Sequence, residues 1–140
     1  MAHGPGPLLL LLSLLFGAAS DRIKVVTVHP GDNVTLNCTA PDHSIIAVVW
    51  TRSDLEPEYV LYYSDEHLDP TKQHPSFKDR VDLVDRDLKD GDVSLILKNV
   101  SSNDNGTYEC RVASKRTDLD SEPITIIRLQ VTDSDGLATN

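Results

Sequence analysis

Two thiols are the first groups in this 140-residue chain whose chemistry can be predicted from residue type and spacing. Cys38 and Cys110 are its only cysteines. An apolar run over residues 8–16, followed by small side chains at 18–20, is typical of a secretory signal peptide. Because secreted proteins keep paired cysteines oxidised, the pattern predicts one disulfide. The alternative is two free cysteines in an unrelated β-domain.

The ends of the chain are expected to lie outside the folded domain. Residues 1–20 are predicted to be a signal peptide, because their apolar run is shorter than the roughly 20 residues that a membrane span needs. A short anchor is the alternative, since no Lys or Arg precedes the run. Residues 132–140 carry no apolar span or lipidation signal and are predicted to be a short tail. They form either a free C-terminus, as in a secreted protein, or the start of a stalk.

The other titratable groups indicate neither catalysis nor nucleic-acid binding. The chain has 22 acidic and 13 basic residues, and a net charge of −9 disfavours contact with phosphate backbones. An aspartate-rich stretch suggests calcium, but Lys89 occupies the fifth position of an EF-hand loop that would begin at Asp85. The five histidines lack metal-ligand spacing. We therefore expect no metal, no cofactor and no enzymatic activity.

The elements that must position these residues are predicted to be β-strands. After residue 20, apolar residues alternate in short segments, which turn signals such as Pro30-Gly31 and Asp90-Gly91 separate. No helical period of useful length is present. The predicted strands are residues 23–28, 34–38, 45–52, 59–63, 80–83, 93–97, 107–112 and 124–131.

The second cysteine ends a motif, D-x-G-x-Y-x-C, at residues 104–110. Gly106 suits a tight corner before a strand. At the turn, Asp104 can bond backbone N–H groups or pair with a base. Tyr108 and Cys110 are two positions apart, so both point to the same side of a strand, where a buried tyrosine needs a partner for its hydroxyl.

Together with Cys38 and the single tryptophan, Trp50, this motif resembles the signature of a variable-type immunoglobulin domain. Residues 77–83 and 91–100 are similar to butyrophilin-type and myelin-oligodendrocyte-glycoprotein-type variable domains. The resemblance implies an all-β, immunoglobulin-like, two-sheet Greek-key β-sandwich of V-type over residues 21–131. It also implies that Arg80 pairs with Asp104. The last predicted strand has no glycine, which disfavours an antibody or T-cell-receptor variable region.

The resemblance also implies a function. Members of this family lie on the external side of the plasma membrane, bind receptors on lymphocytes and modulate T-cell signalling and cytokine production. The chain is therefore expected to be a cell-surface or secreted recognition ligand or receptor whose partner is a protein on another cell. One alternative is a homophilic or heterophilic adhesion module that forms a homodimer through the sheet without sequons. Another is a lectin in which Arg111 meets a sialic acid carboxylate.

Four N-x-[ST] sequons predict a glycoprotein and indicate which sheet stays open. They begin at Asn33, Asn37, Asn99 and Asn105. The first three are expected to point outward from two strands that share a sheet in the immunoglobulin sandwich, and glycans exclude partners from the face that they cover. The opposite sheet is therefore the predicted binding face, although some of its tyrosines are alternatively core residues. The predicted face consists of Val49, Thr51, Tyr59, Leu61, Tyr62, Tyr63, Glu109, Arg111, Ile126 and Arg128.

Overall fold

The computed structural model describes residues 23–41, 44–115, 118–119 and 122–133. The predicted signal peptide and the predicted tail beyond residue 133 lie outside these residues. In the part that is described, the strands are β1 (Ile23–Val28), β2 (Val34–Leu36), β3 (Ile45–Arg52), β4 (Leu61–Ser64), β5 (His67–Leu68), β6 (Val81–Leu83), β7 (Leu95–Leu97), β8 (Gly106–Ser114) and β9 (Thr125–Val131). Single 3-10 turns occupy Ser53–Leu55, Pro70–Lys72, Pro75–Phe77, Lys89–Gly91 and Ser102–Asp104. Across the described residues, no helix has the length and apolar character needed to span a membrane.

The strands form two sheets, as the resemblance implied. The six-stranded sheet has the order β1-β9-β8-β3-β4-β5, and the three-stranded sheet has the order β2-β7-β6. Neighbouring strands are antiparallel except β1 and β9, which run parallel with Ile23 opposite Ile126 and Val28 opposite Val131. The all-β sandwich that the sequence predicted is therefore confirmed.

The core lies between the two sheets and is closed by a disulfide. Cys38, just after β2, is bonded to Cys110 of β8, so the bridge joins the two sheets. The indole N–H of Trp50 donates to the Val93 carbonyl at 3.0 Å, which satisfies its only polar atom inside the core. The largest side chains buried there also include Leu36, Phe77, Leu95, Leu97, Tyr108, Ile127 and Leu129.

Two residues of the predicted binding face belong to this core. Leu61 lies opposite Trp50 and Tyr63 lies opposite Val48, so both point inward, and their exposed fractions are 0% and 4%. The prediction was wrong for both because residues 59–63 contain only β-forming side chains and offer no polar–apolar alternation to fix the register.

A corner of hydrogen bonds holds the motif strand. The Tyr108 hydroxyl donates to the Asp104 carbonyl at 2.6 Å. The Asp104 carboxylate accepts two bonds from Arg80, at 2.6 and 3.3 Å, and a third from the Ser101 N–H at 2.9 Å. Because the Asp104 side chain is only 3% exposed, these donors replace the water that its charge would otherwise require.

Arg52, which the sequence did not single out, lies under the same corner. Its guanidinium donates to the Asn103 carbonyl at 2.9 Å and to the Tyr108 hydroxyl at 3.3 Å, and it pairs with Asp54 at 2.8 Å. A Cβ on Gly106 would lie 2.6 Å from Cδ of Arg52. The glycine of the motif is therefore required by the close approach of this arginine.

Burial raises the pKa of Tyr108 to about 12, and this predicts a loss of stability in alkali. A pKa raised on folding adds stability that is complete below the unfolded value of about 10 and is lost as the pH rises through the folded value. The shift corresponds to about 3 kcal/mol.

Urea unfolding at several pH values between the two pKa values should show a steep fall in the free energy of unfolding, and Tyr108→Phe should flatten it. Tyr62→Phe is the matched control, because the Tyr62 hydroxyl is not part of the corner. If Tyr108→Phe kept the full alkaline slope, the assignment to Tyr108 would be wrong.

Candidate binding face

The candidate site is the outer face of the six-stranded sheet, and strand register decides which side chains reach it. In β3, Val49 lies opposite Arg111 of β8 and Tyr62 of β4, while Thr51 lies opposite Glu109. All of these alternate with inward residues such as Trp50 and therefore point outward. The same register adds Ile126 and Arg128 of β9.

The centre of the face is a shallow hollow of about 340 Å³. Val49 and Thr51 line it and are only 2% and 8% exposed, so they form its floor and are not the exposed contacts that the sequence predicted. The alternation was predicted correctly, but the loops that surround the two residues were not. The remaining lining residues are Glu56, Pro57, Glu58, Tyr59, Arg111 and Leu119.

Two opposite charges lie beside this hollow. Arg111 pairs with Glu109 at 2.8 Å, and its guanidinium also contacts the Thr51 hydroxyl at 3.4 Å. Both charged side chains are about one-quarter exposed. An acidic sugar that approached Arg111 would have to compete with Glu109, which weighs against the lectin alternative.

An aromatic cluster flanks the hollow at β4. The rings of Tyr59 and Tyr62 pack edge to face with their centroids 5.1 Å apart. The Lys72 ammonium lies 5.0 Å from the centroid of the Tyr62 ring, in the geometry of a cation–π contact. Both tyrosines are partly exposed. Lys72 was not predicted from sequence, because it reaches the cluster only where the chain folds back and the Tyr59 N–H donates to the Lys72 carbonyl at 2.9 Å.

The face is apolar at its β1 edge, away from β4, and the sequence did not predict the contribution of this strand. Ile23 and Val25 of β1 are 50% and 59% exposed, and their register partners are Ile126 and Arg128. These two side chains join the face only because β1 pairs in parallel with β9. That pairing connects residues about 100 positions apart and leaves no local signal.

The sequons lie mainly on the other sheet. Asn33 and Asn37 are exposed and alternate with the buried residues of β2, while Asn99 follows β7 of the same sheet. The Asn33 side-chain carbonyl accepts from the Asn99 N–H at 2.9 Å, so these two sequons are neighbours in space.

Asn105 differs from these three, because it is an exposed residue at the corner where β8 begins. Its side-chain amide donates to the Ser102 carbonyl at 2.9 Å and accepts from the Val131 N–H at 2.7 Å. Asn105 also lines a hollow together with Arg128, so this sequon borders the candidate face.

A metal site is not formed by the residues that the structure describes, since no three His, Cys, Asp or Glu side chains come together there in a way that could hold an ion. Chemistry on the face is limited to its charges, hydroxyls, aromatic rings and apolar side chains. Such side chains are of the types that protein interfaces use.

The comparison with protein families agrees with this geometry. The family model for the immunoglobulin V-set domain matches residues 23–132. The chain belongs to the immunoglobulin V-set family. The V-type resemblance that the sequence indicated is thereby confirmed, and the butyrophilins among the relatives of this V-set domain agree with its butyrophilin-type features.

Relatives of this V-set domain come from several groups of proteins. It is 31% identical over 143 residues to the human putative butyrophilin subfamily 2 member A3, and the alignment covers 89% of the chain and 24% of that relative. It is 35% identical over 115 residues to human junctional adhesion molecule-like, and this alignment covers 78% of the chain and 28% of that relative. It is 34% identical over 119 residues to mouse myelin protein zero-like protein 2, covering 76% and 54%. The chain thus spans only part of each relative.

Solved structures share the fold. The V-set domain superposes on the human B7-H4 IgV-like domain with a TM-score of 0.63 at 23% identity, covering 78% of this chain and 91% of that one. Bovine butyrophilin gives a TM-score of 0.64 at 20% identity, covering 78% and 52%. The V-set domain is therefore related to proteins with immune-regulatory and adhesion names, and its architecture matches theirs.

Proposed function

We propose that this V-set domain is a non-enzymatic recognition ligand or receptor of immune regulation, which binds a protein receptor on lymphocytes and modulates T-cell signalling. Its binding surface would be the outer face of the six-stranded sheet. The observation that carries the proposal is the division between the two sheets. Three sequons, at Asn33, Asn37 and Asn99, belong to the three-stranded side, whereas the opposite face presents aromatic, basic and apolar side chains.

An extracellular location belongs to the same proposal. A signal peptide at residues 1–20, the disulfide and N-linked glycans are all features of the secretory pathway. The mature chain would then act either in solution or on the external side of the plasma membrane.

The chemistry of the face supports a protein partner. Tyrosine and arginine are enriched among the residues that dominate binding energy, and both types are partly exposed here. A shallow hollow of about 340 Å³ beside Tyr59 and Arg111 can accept one or two side chains of a partner, whereas small-molecule sites are usually deeper and more enclosed.

Adhesion between copies of this chain is the second candidate, and the apolar side of the face favours it. Ile23, Val25 and Ile126 lie side by side across β1 and β9, and the first two are at least half exposed. Apolar side chains grouped on one sheet face are typical of protein interfaces. A relative named junctional adhesion molecule-like is consistent with such a role.

Binding to cells tests the proposal. The 140-residue sequence, secreted with an oligomerising tag, should stain resting or activated lymphocytes in a saturable way. Tyr62→Ala and Arg128→Glu should each lower the staining affinity about tenfold, as expected when a tyrosine or arginine that dominates binding energy is lost. Lys98→Glu is the matched control, because Lys98 is an exposed basic residue that follows β7 of the other sheet.

The outcomes separate the two candidates. Staining restricted to cells that express the same chain, together with self-association in ultracentrifugation, would replace the immune assignment with adhesion. Loss of staining with Lys98→Glu but not with Arg128→Glu would place the interface on the three-stranded sheet and contradict the proposal.

Glycopeptide mapping tests the shielding argument separately. We expect sugar on Asn99 and on Asn33 or Asn37, with the last two competing for occupancy because they are close in sequence. Sugar on none of the four sequons would remove the reason for choosing one face over the other.

A further inference from the structure

A second concave surface lies at the end of the sandwich where β3 begins and β4 ends. The hollow has a volume of about 610 Å³. Its apolar lining comes from Ile45, Ile46, Leu88 and the ring of Tyr63. These residues belong to three separate segments, so the hollow is a product of the folded domain.

The floor of this hollow contains an apolar side chain that the fold turns outward. The register of β3 against β8 shifts between Ile45 and Ala47, which leaves Ile46 as an extra residue. A bulge of this kind re-aims a side chain, and Ile46 is 57% exposed although it lies in a strand whose next six residues are buried.

The rim of the hollow is acidic. Asp65 and Glu66 form the β4–β5 turn, where their φ angles are 54° and 65°, and Asp87 faces them from the loop after β6. Among the residues that the structure describes, none of these three carboxylates has a basic partner. Arg86 also lines the hollow, but it pairs with Asp82 at 2.9 Å, so the rim keeps an excess of negative charge.

The walls are tied together, so the rim is held in place. The Tyr63 hydroxyl donates to the Arg86 carbonyl at 2.6 Å and joins β4 to the loop after β6. Burial raises the pKa of Tyr63, and the charge of Glu66 raises it further, while the charge of Arg86 acts in the opposite direction. The charges of the rim therefore act on the Tyr63 hydroxyl inside the hollow.

We propose that this acid-rimmed hollow is a second recognition site, which binds a protruding protein segment with an apolar side chain between lysines or arginines. The apolar residue would cover Ile46 and Leu88, and the flanking cations would meet Asp65, Glu66 and Asp87. An exposed apolar floor inside a rim with an excess of negative charge fits a partner with positive charge. The same rim repels nucleic acid and anionic membrane. The site is separate from the sheet face and does not depend on the function proposed for it.

Peptide binding to the full chain is the test. One fluorescent peptide carries two leucines between lysines, and its counterpart has glutamate at every lysine position. Fluorescence polarisation should show binding of the lysine peptide alone, and the affinity should fall as salt screens the rim. Neutralising two carboxylates with Asp65→Asn and Asp87→Asn should lower the affinity about three- to tenfold. Ile46→Ser should lower it by a similar factor at the lowest and the highest salt concentration, because the apolar contact is not screened.

Matched variants make the result decisive. Asp79→Asn is the control for the rim, because Asp79 is an exposed aspartate whose φ of 65° resembles that of Asp65 but which lies outside the hollow. Equal binding of both peptides, no binding of the lysine peptide, or an equal loss with Asp79→Asn would overturn the proposal. Tyr62→Ala should leave peptide binding unchanged while it reduces cell staining, so a failure of one site is distinguishable from a failure of the other.

Discussion

Replacing Asp104 with alanine should lower the free energy of unfolding by about 3 kcal/mol, and by up to about 5 kcal/mol if the corner opens. The substitution removes the buried partner of Arg80 and the acceptor of the Ser101 N–H together. The Arg80 side chain is about one-quarter exposed, so water compensates part of its lost pairing and the lower figure is the expected one. Urea unfolding followed by Trp50 fluorescence measures the change.

Two further variants separate the contributions to this effect. Asp104→Asn keeps an acceptor for the Ser101 N–H but removes the charge, so its loss of stability should be intermediate. Asp79→Asn changes the net charge equally at an exposed site and should change stability by less than about 0.5 kcal/mol. A loss below about 1 kcal/mol for Asp104→Ala would contradict the view that this ion pair holds the corner.

Removing the disulfide should have an effect of comparable size. Cys38 and Cys110 close a loop with a sequence separation of 72 residues, so the bond restricts the unfolded chain strongly. On the chain-entropy model, the double variant Cys38→Ala/Cys110→Ala should lose about 4 kcal/mol of unfolding free energy. The loss is expected in the urea midpoint and also in the yield of secreted protein.

Single cysteine variants provide the control for the double variant. Each single variant leaves one buried thiol and creates one small cavity where the double variant creates two, yet each breaks the same bond. Their losses of unfolding free energy should therefore be close to that of the double variant. Unchanged stability in the double variant would mean that packing of Trp50 and Tyr108 alone suffices to hold the two sheets together.

Local sequence patterns predicted the framework well, because they depend on neighbouring residues. The bounds of β1 and β3 agree with the prediction, since each is a β-forming run between turn signals. The two-residue strand β5 was missed because the β4–β5 turn contains Asp65 and Glu66 in place of the Asn or Gly that usually marks a hairpin.

The binding face was predicted less well, because exposure depends on residues that are distant in sequence. Arg128 and Ile126 reach the face, whereas Val49 and Thr51 form a covered floor. Lys72 enters through a ring contact that no spacing rule indicates. Alternation assigns the side of a sheet, but it does not show which loops cover that side.

The parallel pairing of β1 with β9 gives the domain two poles. Because β3 is antiparallel to β8, and β8 is antiparallel to β9, strands β1, β3 and β9 all run the same way. The acid-rimmed hollow, where Ile45 of β3 lies opposite Ser114 of β8, is therefore at one pole, and the chain leaves β9 after Val131 at the other. A sensor surface or bead coupled beyond Val131 would hold the hollow outermost and facing solution. Ile23 lies between the two poles, because it is opposite Ile126, which is opposite Glu109.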